Sequence, residues 1–141
     1  MTDGATPRKK ILFLCIHNSC RSQMAEGLLR ELASDRFEAF SAGLEATRVH
    51  PMAARVMAER GIDVSQQHSK TIGDLADQEF ACVVTTCSEA QEACPTWHGT
   101  AEMLHWPFPD PAAAAGAEEE RLAQFRAIRD AIEARIKAFV G

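Results

Sequence analysis

With 141 residues, 46% hydrophobic and 25% charged, the chain can bury a core without help from disulfides or metals, and its length fits one catalytic-size domain, residues 1–141. A net charge of -5 excludes an extended nucleic-acid or anionic-membrane surface, which needs a basic face. It leaves room for a small anionic ligand, because one helix N-terminus and one arginine suffice for a local anion site.

Residues 1–9 read as a flexible N-terminal segment. The apolar run Ile11 to Ile16 is too short for a secretory core or a membrane span, so a soluble cytoplasmic protein is expected. Lys10 to Cys15 is a continuous apolar run of strand length, typical of a strand buried on both faces. Met24, Leu28 and Leu32 recur every four residues and predict an amphipathic helix from Ser22 to Leu32. Phe37 to Ser41 reads as the second strand. Pro51 can open a helix and Gly61 can stop it, with Met52, Val56 and Met57 between them. Phe80 to Thr86 predicts a third strand and Glu102 to Trp106 a weaker fourth. In the last helix Leu122, Phe125, Ile128, Ile132, Ile136 and Phe139 step by three or four, with Glu118, Glu119 and Glu120 at its start, as the helix dipole prefers. Strands alternating with helices predict a three-layer α/β fold, a four-stranded parallel sheet flanked by helices. Ligands bind such sheets at the carboxyl ends of the strands.

The first strand runs directly into Cys15-Ile16-His17-Asn18-Ser19-Cys20-Arg21-Ser22, and a helix follows. Five residues between Cys15 and Arg21 suffice to wrap a loop around one tetrahedral oxyanion, with the backbone N–H groups of Ile16, His17, Asn18, Ser19 and Cys20 turned inward and the helix adding its positive end. Arg21 can fork two donors onto two oxyanion oxygens. The same field favours the Cys15 thiolate over the thiol, and Ser22 is placed to hydrogen-bond it. Asn18 can brace the loop and tolerates the left-handed backbone such loops need. The His17 side chain is read as solvent-facing. The five cysteines are odd in number, unevenly spaced, and without zinc-ligand spacing, so catalytic or core roles are expected. Cys82, within a buried strand, reads as core; Cys20 either packs beneath the loop or forms a side disulfide with Cys15.

The stretch Cys15 to Gly27 resembles the signature of arsenate reductases built on the low-molecular-weight tyrosine phosphatase fold. The resemblance continues through Phe40-Ser41-Ala42-Gly43, Val83 to Cys87 and His105 to Pro111, covering nearly all the chain past residue 9. It implies arsenate reduction by a three-cysteine relay: Cys15 as nucleophile, Cys87 as second nucleophile, Cys94 as resolving thiol, and thioredoxin as reductant of the resulting disulfide. It assigns Asp110 as the general acid, a role that displacement at a tetrahedral centre requires. The local sequence alone reads Asp110-Pro111 as a turn initiator. If Ser88 to Ala93 is helical, the two cysteines lie about 10.5 Å apart along the axis. A disulfide spans only about 4.4 to 6.8 Å between Cα atoms, so forming it must open that helix.

In phosphatases of this fold an aromatic residue commonly follows the Asp-Pro pair; here Ala112 follows, and the chain has no Tyr. Asn18, Glu26 and Ser41 match residues associated with a potassium ion in some members. The matching acidic residue is missing from His68-Ser69-Lys70-Thr71, and a Lys70 ammonium is expected in the cation's place. No metal and no cofactor is expected. Arsenate is the expected substrate, with phosphate or sulfate as competing oxyanions, and the protein is expected to act as a monomer. The rival readings are a low-molecular-weight tyrosine phosphatase, which leaves Cys87 and Cys94 idle, and a non-catalytic thiol sensor, which leaves Asp110 and the loop unexplained.

Overall fold

The computed structural model describes residues 8–88, 97 and 99–141. Residues 89–93 of the expected Ser88 to Ala93 helix, Cys94 itself and residues 1–7 lie outside these. The strands are β1 (Lys9–Cys15), β2 (Phe37–Gly43), β3 (Cys82–Thr85) and β4 (Glu102–His105), all parallel, in the order β2-β1-β3-β4. The helices are α1 (Arg21–Ala33), α2 (Pro51–Ala58) and α3 (Glu118–Val140), with 3-10 turns at Ile72–Leu75 and Pro111–Ala113.

Alternation along the central strands divides the interior into two cores. Ile11 and Phe13 of β1, with Cys82 and Val84 of β3, pack against Met24 and Leu28 of α1, Val56 of α2, and Phe125 and Ile132 of α3. Leu12, Leu14 and Val83 point to the other face, under Ala42, Leu75 and Phe80, with Trp97 edge-on to Phe80. This is why the β1 run is apolar throughout: both faces are covered.

Several element limits move from their sequence reading for physical reasons. The α1 helix begins at Arg21 and runs to Ala33, and Leu32 is exposed. A four-residue step overshoots a full turn by about 40°. The apolar stripe therefore drifts and is continued by Leu29 and Ala33, both buried, rather than by Leu32. Phe80 and Trp106 stand just outside β3 and β4, yet both are buried as aromatic packing rather than strand residues. Pro51 does open α2, but the helix stops at Ala58, before Gly61, whose φ of 72° ends the turn that follows. Its cap is His50, whose ring nitrogen Nδ1 accepts the Met52 N–H.

Three chain segments leave the sheet at one end. In register, Leu14 lies beside Thr85 and Thr85 beside His105. Cys15, Cys87 and the loop leading to Asp110 therefore follow at the carboxyl ends of β1, β3 and β4. Among the described residues no helix is long and apolar enough to cross a membrane.

Candidate active site

The segment between β1 and α1 forms a cup, and its shape follows from where its carbonyls go. Ile16 O accepts from Leu44 N and Glu45 N, Ser19 O from His50 N, and Cys20 O from Met24 N. His17 O accepts from Thr47 Oγ1 and Ser69 Oγ, and Asn18 O from Gln23 Nε2. Each carbonyl is thus held on the outside of the loop. A trans peptide is planar with its N–H opposite its C=O, so the N–H groups of His17, Asn18, Ser19, Cys20 and Arg21 turn inward. Asn18 takes φ 47°, the left-handed conformation expected of it.

Cys15 is the last residue of β1 and is buried at the floor of the cup. Its Sγ lies 2.8 Å from Ser22 Oγ, the contact anticipated from spacing. Arg21 is also buried, and its guanidinium donates to Phe108 O at 3.1 Å and lies 3.9 Å from an Asp110 carboxylate oxygen. The fold thus carries the loop of Asp110, 89 positions past Arg21, onto the Cys15 cup. Asp110 also accepts the Ala112 N–H at 3.0 Å and opens the Pro111–Ala113 turn, so its turn-initiating role and its place beside the cup coexist. Cys15, His17, Ser19, Cys20, Arg21, Thr47, Asp110 and Ala112 enclose an open cavity of about 310 Å³.

The other thiols differ in their surroundings. Burial pushes the Cys20 thiol up to about 12, against the smaller opposing pull of its Ser19 contact. Burial likewise pushes Cys82 up to about 11, and Cys82 belongs to the helix-side core, as read from the sequence. Cys87 is buried just past β3, after Thr86, whose N–H and hydroxyl both bond Leu14 O at 2.8 Å. The His17 side chain reaches Glu45 at 2.9 Å on the cup's rim.

Sequence reasoning passed over the residues that hold the cup. Gly43 packs so closely that a Cβ there would meet Ile16 O at 2.6 Å and Asn18 N at 2.8 Å. Gln23 is buried beneath the loop and is bonded by Gln67, while Thr47 and Ser69 reach the loop carbonyl of His17 from distant segments. The one local signal was a polar Gln23 beside the apolar stripe of α1. Glu26 is buried too, accepting from Ser41 Oγ and Arg30, with the Lys70 ammonium 3.9 Å away. Burial lowers the Lys70 pKa from the ordinary lysine value, and Glu26 opposes that fall. The Lys70 ammonium thus lies beside Glu26, whose carboxylate also accepts from Ser41.

A cysteine at the floor of an amide-lined cup, on a strand-to-helix turn and beside a buried arginine, is an arrangement able to hold a tetrahedral oxyanion against a thiol. The chain belongs to the low molecular weight phosphotyrosine protein phosphatase family, whose model matches residues 10–141. It is 48% identical over 132 residues to an arsenate reductase of Halalkalibacterium halodurans, covering 94% of this chain and 95% of that one. To an arsenate reductase of Bacillus subtilis it is 44% identical over 131 residues, covering 93% and 94%. Among solved structures it resembles one described as an arsenate reductase in the phosphate binding state, with a TM-score of 0.79, 35% identity and coverage of 94% and 96%. It also resembles a thioredoxin-dependent arsenate reductase of Corynebacterium glutamicum, with a TM-score of 0.64, 27% identity and coverage of 95% of this chain and 64% of that one.

Proposed function

We propose that this chain is an arsenate reductase that works as one catalytic domain through a three-cysteine relay. Arsenate sits in the cup, held by the inward N–H groups and the Arg21 guanidinium. The Cys15 thiolate attacks arsenic while Asp110 protonates a departing oxygen, so water leaves and a sulfur–arsenic(V) bond forms. Cys87 then attacks the Cys15 sulfur. The sulfur–arsenic bond breaks with its electron pair going to arsenic, which departs as arsenite, and a Cys15–Cys87 disulfide remains. Cys94 attacks the Cys87 sulfur, frees the Cys15 thiolate and leaves a Cys87–Cys94 disulfide. A thioredoxin dithiol reduces that bond and resets the enzyme.

The observation that carries this reading is the pairing of β1 with β3. It brings Cys15, with its cup, and Cys87 to the same end of adjacent strands. The names of the relatives support the reaction, and the Corynebacterium glutamicum structure supports the choice of reductant. The phosphate-binding neighbour supports an oxyanion in the cup and phosphate as a competitor. Ala112 in the cavity wall offers only a methyl group, which suits a small inorganic substrate better than an aryl one.

The test separates reductase from phosphatase. Cys87→Ser and Cys94→Ser should each abolish arsenate-dependent NADPH oxidation coupled through thioredoxin and its reductase. Both variants should keep slow aryl-phosphate hydrolysis, which needs only the cup and the acid. Wild-type arsenate turnover in both variants would refute the relay. Hydrolysis of aryl phosphate without any arsenate reduction by the unaltered protein would make it a phosphatase.

A further inference from the structure

The proposed reaction uses Cys15, whose sulfur meets Ser22, but gives no task to Ser22 or to the amides behind it. Their hydrogen bonds can be given a direction, because several end on backbone groups that can only donate or only accept. Asn18 Oδ1 accepts from the Lys70 backbone N–H at 2.9 Å, so its amide nitrogen is the group facing Ser22 Oγ at 2.8 Å. Ser22 Oγ therefore accepts from Asn18, and its single hydrogen is left for the Cys15 sulfur at 2.8 Å.

The direction of the next links is set in the same way. Gln23 Nε2 faces the carbonyls Asn18 O at 3.0 Å and His68 O at 3.2 Å, as well as Asn18 Oδ1 at 2.9 Å. Its own Oε1 is turned away and accepts from Gln67 Nε2 at 2.8 Å, which also donates to the carbonyl of Gln23 at 3.1 Å. Gln67 Oε1 then accepts from Arg30 at 3.0 Å, and a guanidinium only donates. From Arg30 through Gln67, Gln23, Asn18 and Ser22 to Cys15, every donor points toward the sulfur. Aligned in this way the bonds polarise one another, most strongly at the buried inner links through Gln23, Asn18 and Ser22 and least at the exposed Arg30 end.

We propose that Gln23, Gln67 and Arg30 are positioning residues, a directed hydrogen-bond relay that holds the Ser22 hydroxyl as a donor to the Cys15 thiolate. This rests on the reading of Cys15 as the nucleophile, and it extends the site about three residues outward, to the surface of α1. The charges nearest Cys15 (Arg21, Asp110, and His17 with Glu45 at the rim) are untouched by changes in the relay. At its outer end Arg30 is paired with Glu26, and Lys70 stands beside Glu26.

Two properties make the relay testable. Gln67→Met keeps the size of the side chain and removes donor and acceptor together. Gln67→Glu replaces the donor by a carboxylate facing two acceptors. The side chain of Arg30 is 47% exposed, so Arg30→Met tests the outer link without disturbing the core, and Arg30→Lys restores a donor. The measurement is the rate of Cys15 alkylation by iodoacetamide at pH 6 and pH 9, with the site assigned by mass spectrometry and folding followed by circular dichroism. In Gln67→Met and Gln67→Glu the ratio of the pH 6 rate to the pH 9 rate should fall about threefold or more, because the thiolate loses a polarised donor. Arg30→Met should lower the ratio less, and Arg30→Lys should recover it. A wild-type ratio in folded Gln67 variants overturns the relay; if those variants do not fold, a wild-type ratio in Arg30→Met overturns it. A lowered ratio in a protein that reduces no arsenate supports the relay and overturns the reductase reading alone.

Discussion

Behind the Cys15 loop the polar side chains are buried, mostly neutral and anchored to backbone; along the seam of α2 and α3 they are charged and half in water. The first group includes Asn18, Ser22 and Gln23, all buried. The second includes Arg60 with Asp130 at 2.7 Å and Glu133 at 3.3 Å, Arg126 with Glu59 at 2.9 Å, and Arg55 with Glu118 at 3.2 Å. The seam pairs hold the Glu59 and Asp130 carboxyls below their ordinary values, chiefly through hydrogen bonds from Arg126 and Arg129. Exposed pairs of this kind are nevertheless worth at most about 1 kcal/mol each, because water and salt screen them. A buried amide that loses its partner costs about 1–3 kcal/mol, since nothing replaces the bond. Similar hydrogen-bonding chemistry thus gives precision in one region and only mild adhesion in the other. Arg129 is the exception at the seam: it is buried, and it donates to Val56 O and Glu59 at 2.8 Å.

The sharpest way to break this contrast is Gly43→Ala. Its new methyl would press on three backbone atoms of the loop, none of which can rotate away. Overpacking against backbone should cost about 3 kcal/mol, read as a lower thermal midpoint, and alkylation of Cys15 should change with it. An unchanged midpoint would show that the cup tolerates being pushed outward. Next in size is Arg129→Met, which leaves the Val56 carbonyl without that donor inside the seam. A loss of about 1–3 kcal/mol is expected by chemical denaturation, with Cys15 alkylation unaltered. A change in Cys15 reactivity there would mean that the two regions are coupled.

The smallest effect probes His50, which touches both regions: its backbone N–H bonds Ser19 O, and its ring packs tilted against Phe125, with centroids 4.8 Å apart. Burial, then Arg121 and Arg48, lower its pKa from 6.5, and its Nδ1 must stay unprotonated to accept the Met52 N–H. The unfolded chain therefore binds a proton first as pH falls. The stability contributed by neutral His50 is fully present above about pH 6.5 and is lost as pH drops toward the lower folded value. Denaturation midpoints between pH 7.5 and 5.5 should fall less in His50→Asn, which keeps a cap acceptor, than in the unaltered protein. Equal slopes would remove His50 from the pH response.

How much was legible depends on how local the determinant is. β1, α3 and the cup were readable because a buried strand, a three-to-four-residue stripe and a cysteine, five residues and an arginine are each written within a few neighbouring positions. Leu32 misled because a stripe drifts around a helix, and only the packed partner shows where it leaves the core. Phe80 and Trp106 misled because apolar burial and strand pairing coincide in sequence but separate in space.

The sequence by itself determined the α/β alternation, the central buried strand and the placement of Cys15, Asn18, Arg21 and Ser22 on one turn. These follow from backbone geometry and side-chain periodicity over short spans. Only the tertiary structure decided that Gly43 must lack a side chain, that Thr47 and Ser69 hold the loop from outside, that Gln67 bonds Gln23, that His50 caps α2, and that Asp110 reaches Arg21. Each of those contacts joins residues whose closeness comes from sheet order and helix docking. A hydrogen bond acts only within about 3.5 Å, and no local pattern records which distant segment the fold will bring to that distance.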